Sequence, residues 1–359
     1  MPYNNEFYLA SAGAGKTTLV VNYAVKHPNQ KILLTTYTHE NTALLQETIC
    51  TNNGFQPSNV IIMSWFSFLL SECVRPYQNY IYADMRIDNL DFFPYISAKF
   101  SRRTEVKRFY LSSENHIYSD KMSDFACCCN EKSHGLVIKR LEELIDVFIL
   151  DEAQDISGWD LDFIELLIKS KIKVIMVGDV RQRTYSTSKS IKNKKYSDDI
   201  YLWFTHLESA GYGELKLYNQ SYRCSQAICD FADELFPTLP KTVSHNHKYE
   251  GHTGIYIINS KDLHEYCDLF SPQILAYDKR AKSKALGLSF KNFGVVKGQT
   301  YNHVVIIPTK PIETYLGCGD ATVITSREKL YVAITRARYS VAFLSTCNTP
   351  FECIRKWKV

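Results

Sequence analysis

At 359 residues, 45% of them hydrophobic, the chain exceeds one ordinary domain and holds enough apolar material for two cores. Its 42 basic and 38 acidic residues leave a formal charge of +4, which excludes a polyanion-binding surface founded on net charge and leaves that role to local clusters. Eleven cysteines are scattered, and the one dense group, Cys127-Cys128-Cys129, lacks the two-residue spacer that lets neighbouring thiolates face one metal; reduced thiols in a cytoplasmic compartment are expected. Residues 1–10 carry no positive stretch followed by a long apolar one, and no segment offers about 18 uninterrupted apolar residues, so neither export nor a membrane is expected.

Short runs rich in Val, Ile, Leu and Tyr recur along the chain, each followed by a polar or glycine-bearing loop and then a helical pattern, which is the rhythm of parallel α/β architecture. In the first half, strands are predicted at 7–10, 31–37, 60–65, 146–150 and 173–177, with helices at 16–25, 40–50 and 161–169. The stretch 181–201 is polar, basic and without apolar periodicity, and reads as a mobile loop before a boundary near Gly211-Tyr212-Gly213. In the second half, strands are predicted at 214–218, 254–258, 273–276, 303–307 and 340–344, with helices at 225–236 and 327–337. Two domains follow, 1–210 with a small insertion at about 70–140, and 211–359.

The segment Ala10-Ser11-Ala12-Gly13-Ala14-Gly15-Lys16-Thr17-Thr18 leaves a predicted strand and opens a predicted helix. Small residues there let successive backbone N–H groups converge on phosphate oxygens, the helix N-terminus adds favourable potential, Lys16 supplies a point charge and Thr17 a hydroxyl for Mg²⁺. The pattern's usual first glycine is Ala10 here, and a purely structural Gly/Ala-rich turn is the alternative. The apolar run Val147-Phe148-Ile149-Leu150 has the look of a buried parallel strand that delivers Asp151-Glu152-Ala153-Gln154-Asp155 to a sheet's carboxyl edge. Phosphoryl transfer asks one carboxylate to hold the Mg²⁺ shell, assigned to Asp151, and a neighbour to activate the attacking water, assigned to Glu152. An acidic loop facing solvent is the alternative, weakened by the loop at Lys16, which lacks a Mg²⁺ ligand of this kind.

With these two segments, further stretches stand in order: Thr35-Thr36-Tyr37-Thr38-His39, Ser64-Trp65-Phe66-Ser67-Phe68, GDVRQRTY at 178–185, NQSYRCSQAI at 219–228, VVKGQTYNHVVI at 295–306, and KLYVAITRAR at 329–338 after them. This ordered set resembles superfamily 1 helicases of the UvrD/Rep kind. The resemblance implies two RecA-like P-loop domains with parallel sheets and ATP between them, and hydrolysis that ratchets single-stranded DNA in the 3′-to-5′ sense. It implies that Gln182 senses the γ-phosphate, that Arg223 and Arg336 stabilise charge in the transition state, and that Tyr222 lies against the adenine. For each arginine a solvated pair with a carboxylate is the alternative, and for Tyr222 a place in a core.

A single-stranded track combines stacking aromatics with cations. Tyr37, Trp65, Phe66 and Tyr185 match the family's strand-facing positions, although in a chain with 13% aromatics each is as readily a core residue. Basic clusters at Arg102, Arg103, Lys107 and Arg108, at Lys189, Lys192, Lys194 and Lys195, and at Lys279, Arg280, Lys282 and Lys284 either meet phosphates or form solvated faces. The family pattern also fails in places. The adenine-reading glutamine segment of relatives is expected well upstream of the phosphate loop, which here begins within the first residues, Thr300 stands where relatives carry a ribose-binding glutamate, and Thr187 stands near the place of a strand-stacking tryptophan. About 70 residues separate Arg223 from Val295, too few for the large accessory insertion of full-size relatives. Such compact relatives include subunits that work beside an OLD-family nuclease in two-gene anti-phage systems, so the resemblance extends to a nuclease or other protein partner. RNA as the track and a nucleotide-gated DNA-end sensor without processive movement stay open at this point.

Overall fold

The computed structural model describes residues 3–93, 95–184, 187, 190, 192–247, 251–278, 280–281 and 285–358. The strands in chain order are β1 (Glu6–Ala10), β2 (Ile32–Thr36), β3 (Val60–Ser64), β4 (Leu90–Asp91), β5 (Ile117–Tyr118), β6 (Val147–Asp151), β7 (Lys173–Gly178) and β8 (Glu214–Tyr218). They continue as β9 (Gln220–Ser221), β10 (Val243–Ser244), β11 (Gly254–Ile258), β12 (Gln273–Ala276), β13 (Lys291–Asn292), β14 (Tyr301–Ile307), β15 (Ala337–Leu344) and β16 (Ile354–Lys356). One six-stranded sheet runs β3-β2-β6-β7-β1-β8 and another β13-β12-β14-β15-β11-β16. Pairings β2·β3, β2·β6, β6·β7 and β1·β7 in the first, and β11·β15, β11·β16, β12·β13, β12·β14 and β14·β15 in the second, are parallel. The fold is therefore α/β, two parallel sheets with helical connections of the RecA-like kind.

By backbone proximity the chain divides into two units. Unit one comprises Met1–Leu9, Lys16–Val180 and Tyr185–Leu217; unit two comprises Ala10–Gly15, Arg181–Thr184 and Tyr218–Val359. In unit one, β2 and β6 are buried along their whole length, as central parallel strands with both faces covered must be. In unit two, β11 is buried from end to end and β14 over its last five residues.

Local chemistry sets the element ends. Thr38 caps the helix His39–Asn53 by accepting from the Asn41 N–H (3.1 Å), and Gly54 closes it in the left-handed region at φ 82°. The predicted strand 60–65 stops at Ser64, because the Ser64 hydroxyl accepts from the Ser67 N–H (3.2 Å) and starts the short helix Trp65–Phe68. Within the stretch expected as a small insertion at about 70–140 and just after it, Met122–Lys132 and Leu136–Leu144 are helical and pack against the sheet core. The expected loop 181–201 is corrected in part. Lys194–Asp198 is helical, and Asp199 caps a helix Ile200–Ser209 through the N–H groups of Tyr201 (3.0 Å) and Leu202 (3.2 Å). That helix buries Ile200, Trp203, Phe204 and Leu207, an amphipathic stripe at helical spacing that polar neighbours upstream concealed.

Trp65 and Phe66 were expected to face a nucleic-acid strand; here both are core residues. Trp65 is fully buried, its indole N–H donates to Asp160 (3.0 Å), and its ring meets Phe68, Phe148 and Phe163 at 5.7–6.3 Å. Asp160 also accepts from the Ser123 hydroxyl, and burial pushes its carboxyl upward while these donors oppose the rise. Trp65→Ala is expected to lower the unfolding free energy by about 3–5 kcal/mol, since it leaves a cavity and takes a donor from a buried carboxylate; urea denaturation of the two proteins measures the difference.

Candidate nucleotide site

The carboxyl ends of β1, β7 and β6 lie side by side in unit one. Leu9 pairs with Gly178 and Val177 with Asp151, so the strands release their following loops at one level of the sheet edge. Neighbouring strands are about 4.8 Å apart. This spacing brings the start of the loop after β1, the Gly178-Asp179 turn after β7 and Asp151-Glu152 at the end of β6 into one neighbourhood.

In unit one, Lys16 is the first residue of the helix Lys16–Lys26, and its ammonium lies 3.9 Å from a fully buried Asp179 carboxylate. The Asp179 N–H donates to the Gln154 side-chain oxygen (2.9 Å), and the Gln154 amide donates in turn to Glu152. Gly178 is required by this close approach, because a Cβ there would sit 3.0 Å from Gln154 Oε1 and 3.2 Å from its backbone nitrogen. Asp151 is buried and accepts from the Glu152 N–H (2.9 Å); Glu152 itself occupies the left-handed region at φ 58°, which turns its side chain sharply away from the strand direction. Thr17 is partly buried and Thr18 exposed on the first turn of the helix.

Unit two holds the turn that precedes Lys16. Gly13 and Gly15 are both left-handed, at φ 78° and 81°, and the Ala14 N–H closes on the Ser11 carbonyl (3.2 Å). Alternating left-handed glycines in a run of small residues turn backbone N–H groups towards one side, the geometry of an anion nest. The Gly13 carbonyl accepts from the Tyr222 N–H (2.9 Å), the Ala12 carbonyl from the Ser221 hydroxyl (2.8 Å), and the Ala12 N–H donates to the Tyr331 hydroxyl (3.4 Å). Arg223 packs beside the same turn and donates to the Thr335 carbonyl (3.2 Å). Tyr222 is 60% exposed, its ring tilted against His245 at 5.2 Å.

Arg336 is buried just past the helix Arg327–Ile334. It donates to the carbonyls of Val332 (3.1 Å) and Gln299 (3.2 Å) and to the side-chain oxygen of Gln182 (3.2 Å). Buried Arg181 donates to the Ser11 hydroxyl (3.2 Å) and the Pro240 carbonyl and lies 3.6 Å from Asp233, a carboxyl that burial pushes upward and Arg181 holds down. The Cys224 thiol is drawn downward, first by a hydrogen bond from Cys229 and further by Arg223, against its burial.

Sequence reasoning thus named Lys16, Asp151, Glu152, Gln182, Arg223 and Arg336 but passed over Asp179, Gln154, Arg181 and Ser221, all of which sit inside quoted motif blocks. Their signal was available as polar residues at strand ends; their partners, far away in sequence, were not. Tyr37 is partly buried, its ring edge-on to Phe66 at 5.6 Å. Tyr185, and Lys189, Lys279, Lys282 and Lys284 of the basic clusters, lie outside the described residues.

Residues 129–345 match the family model of the viral superfamily 1 RNA helicase core domain. Among solved structures, the chain is similar to arterivirus nonstructural protein 10 (helicase), at 14% identity and a TM-score of 0.48 over 97% of this chain and 60% of that one. It is similar to the same protein in complex with DNA at 14% identity and a TM-score of 0.46, over 97% and 61%. The chain spans about three fifths of the length of those proteins. No curated protein matches it.

Gly13→Ala should abolish nucleotide binding, because its Cβ would fall 2.7 Å from both Arg223 Cβ and Ser221 Oγ. Gly54→Ala, at a similar φ of 82° but with nothing within 4 Å, should cost only about 1 kcal/mol of stability and leave binding intact. Titration of the two variants with a fluorescent ATP analogue separates steric closure of the loop from general backbone strain.

Proposed function

We propose, from the premise that the chain belongs to the viral superfamily 1 RNA helicase core domain family, that it is an ATP-driven motor on single-stranded nucleic acid. The observation that carries this reading is the meeting of three loops at one sheet edge, with Lys16 set 3.9 Å from Asp179 beside the end of the strand that bears Asp151. A partly buried ammonium next to a buried carboxylate, opening a helix, suits a phosphate chain that brings its own negative charge and its own metal.

The donor set fits Mg²⁺. The Thr17 hydroxyl and the Asp151 carboxylate are hard oxygen ligands, and this ion commonly takes one or two protein oxygens together with phosphate oxygens and water. Among the described residues no cluster of three or more His, Cys, Asp or Glu side chains could hold a metal without such help. When bound, Mg²⁺ would neutralise charge building on the phosphates. In this reading the backbone of Ala12 to Gly15 cradles the phosphates, Lys16 exchanges Asp179 for a phosphate oxygen, and Glu152 takes a proton from the attacking water. Gln182 and Arg336, already hydrogen-bonded to each other, respond together to the terminal phosphate, and Arg223 stands beside the loop. Arginines in this role are worth about 10³-fold or more in rate. Exposed Tyr222 offers a ring to the nucleobase.

The finer features belong to the same reading: the UvrD/Rep kind, 3′-to-5′ polarity, single-stranded DNA as the track, and a nuclease partner in anti-phage defence. The family's description favours RNA as the track instead, and both strands enter the test. No helix among the described residues is long and apolar enough to cross a membrane.

The purified chain should hydrolyse ATP with Mg²⁺, faster with oligo(dT) or oligo(U) present. Lys16→Ala should abolish turnover, and Glu152→Gln should bind ATP yet lose at least about 10²-fold in hydrolysis. A Lys16→Ala variant with ordinary turnover would sink the reading. Turnover indifferent to both strands would favour a nucleotide-gated sensor over a motor.

A further inference from the structure

The stretch 92–108 lies in unit one between β4 and β5 and belongs to none of the motif blocks. Its large side chains face outward: Phe92, Phe93 and Ile96 are exposed, Tyr95 is 74% exposed and Phe100 94%. Five large apolar side chains exposed within one short stretch are seldom left uncovered on a protein that works alone.

The rings are nonetheless carried on a tethered backbone. Asp120 accepts from the N–H of buried Ser97 (3.2 Å) and from its hydroxyl. Phe93 meets Tyr118 edge-on at 5.6 Å, and Phe92 meets Phe66 edge-on at 5.4 Å. Phe66 in turn meets Tyr37, the first residue beyond the carboxyl end of β2, so a path of rings leads from the sheet edge out to the exposed stretch. Ala98, left-handed at φ 45°, and a hydrogen bond from the Ser101 N–H to the Ala98 carbonyl (3.0 Å) form a turn that displays Lys99 and Phe100.

The charge is as uneven as the exposure. Lys99, Arg102, Arg103, Lys107 and Arg108 stand against Glu105 alone, so these residues carry the whole +4 of the chain and the remainder balances to zero. Arg103 is committed to Asp124 and lies 4.7 Å over the Trp159 ring, and Arg108 pairs with Glu105 (3.2 Å). Lys99, Arg102 and Lys107 are exposed, and the Lys99 ammonium lies 5.8 Å from the centre of the Phe100 ring.

Exposed rings interleaved with cations are the chemistry that holds a single strand: every base has a face to stack, and every linkage has a phosphate. A lipid surface would also accept rings and cations, but the path of rings back to the carboxyl edge of the sheet, where parallel α/β folds take ligands, favours the strand. We infer that residues 92–93 and 95–108 form a strand-binding platform in which Tyr95 and Phe100 stack bases and Lys99, Arg102 and Lys107 meet phosphates. This rests on the reading of the chain as a single-strand motor and gives that motor a grip outside its motif blocks.

The test is fluorescence anisotropy of labelled oligo(dT) and oligo(U) with the full chain, alongside strand-stimulated and unstimulated ATP hydrolysis. Tyr95→Ala/Phe100→Ala should weaken strand binding at least about tenfold with unstimulated hydrolysis and melting temperature unchanged, and Tyr95→Phe/Phe100→Tyr should restore it. Replacing Lys99, Arg102 and Lys107 with Ala should lower the slope of log affinity against log salt by about 0.7 for each phosphate that the variant no longer neutralises. Equal strand affinity in wild type and the Tyr95/Phe100 double variant, with strand stimulation intact in both, overturns the platform and leaves the motor standing. Failure of the wild type to bind or respond to either strand overturns both. Co-sedimentation with anionic phospholipid vesicles that the double variant loses while keeping its strand affinity assigns the surface to a membrane and overturns the inference.

Discussion

Carboxylates are costly to bury, and among those that this chain buries Asp151 and Asp179 stand at the ends of adjacent parallel strands. An isolated carboxylate moved away from water is disfavoured by several kcal/mol unless donors or a cation meet it. Much of the local structure answers that requirement. Lys16 opens its helix where its ammonium can reach Asp179, Gln154 folds back to accept from the Asp179 N–H, and Gly178 gives up its side chain to let Gln154 in. Glu152 leaves the strand through the left-handed region, which ends β6 at once and frees the next carboxylate from the sheet. The arrangement sets buried negative charge beside a cation at the start of a helix, a state suited to receiving an anion together with a metal.

Unit two shows the same economy of space at a different point. The backbone of Ala12 and Gly13 accepts from the Ser221 hydroxyl and the Tyr222 N–H and donates to the Tyr331 hydroxyl, and the approach at Gly13 leaves no room for a methyl group. Buried Arg181 ties Ser11 to Asp233 and Pro240, so the loop's first turn is fixed by residues some 170 to 230 positions further along the chain. Arg336, with three acceptors, is oriented in the same manner.

The local signals were legible from sequence and the distant ones were not. Gly13, Gly15 and Lys16 read as a loop entering a helix because strand, small residues and helix follow one another without interruption. The apolar run before Asp151 read as a central strand because it carries no polar alternation. Trp65 and Phe66 misled because an aromatic residue at a strand end has no local mark to separate core from surface; only the Ser64 cap and the partner at Asp160 decide it. The helix Met122–Lys132, buried on several sides and rich in cysteine, shows no clean stripe, so its period was hidden. Phe92, Phe93, Tyr95 and Phe100 would by composition alone be assigned to a core, and their exposure emerges only with the backbone in place.

The strand order also governs how the chain can fold as it is made. β1 is synthesised first, yet its neighbour in the sheet is β7, and Glu6 waits for Ile175. β2 can pair early with β3, whereas its other edge stays open until Val147 to Leu150 emerge. Parallel pairings across such separations must meet the entropy of closing a long loop before any contact rewards it. The nascent first unit therefore passes through a stage in which two of its most apolar strands have unsatisfied edges, and its yield in a cell depends on shielding them until β6 and β7 have left the ribosome.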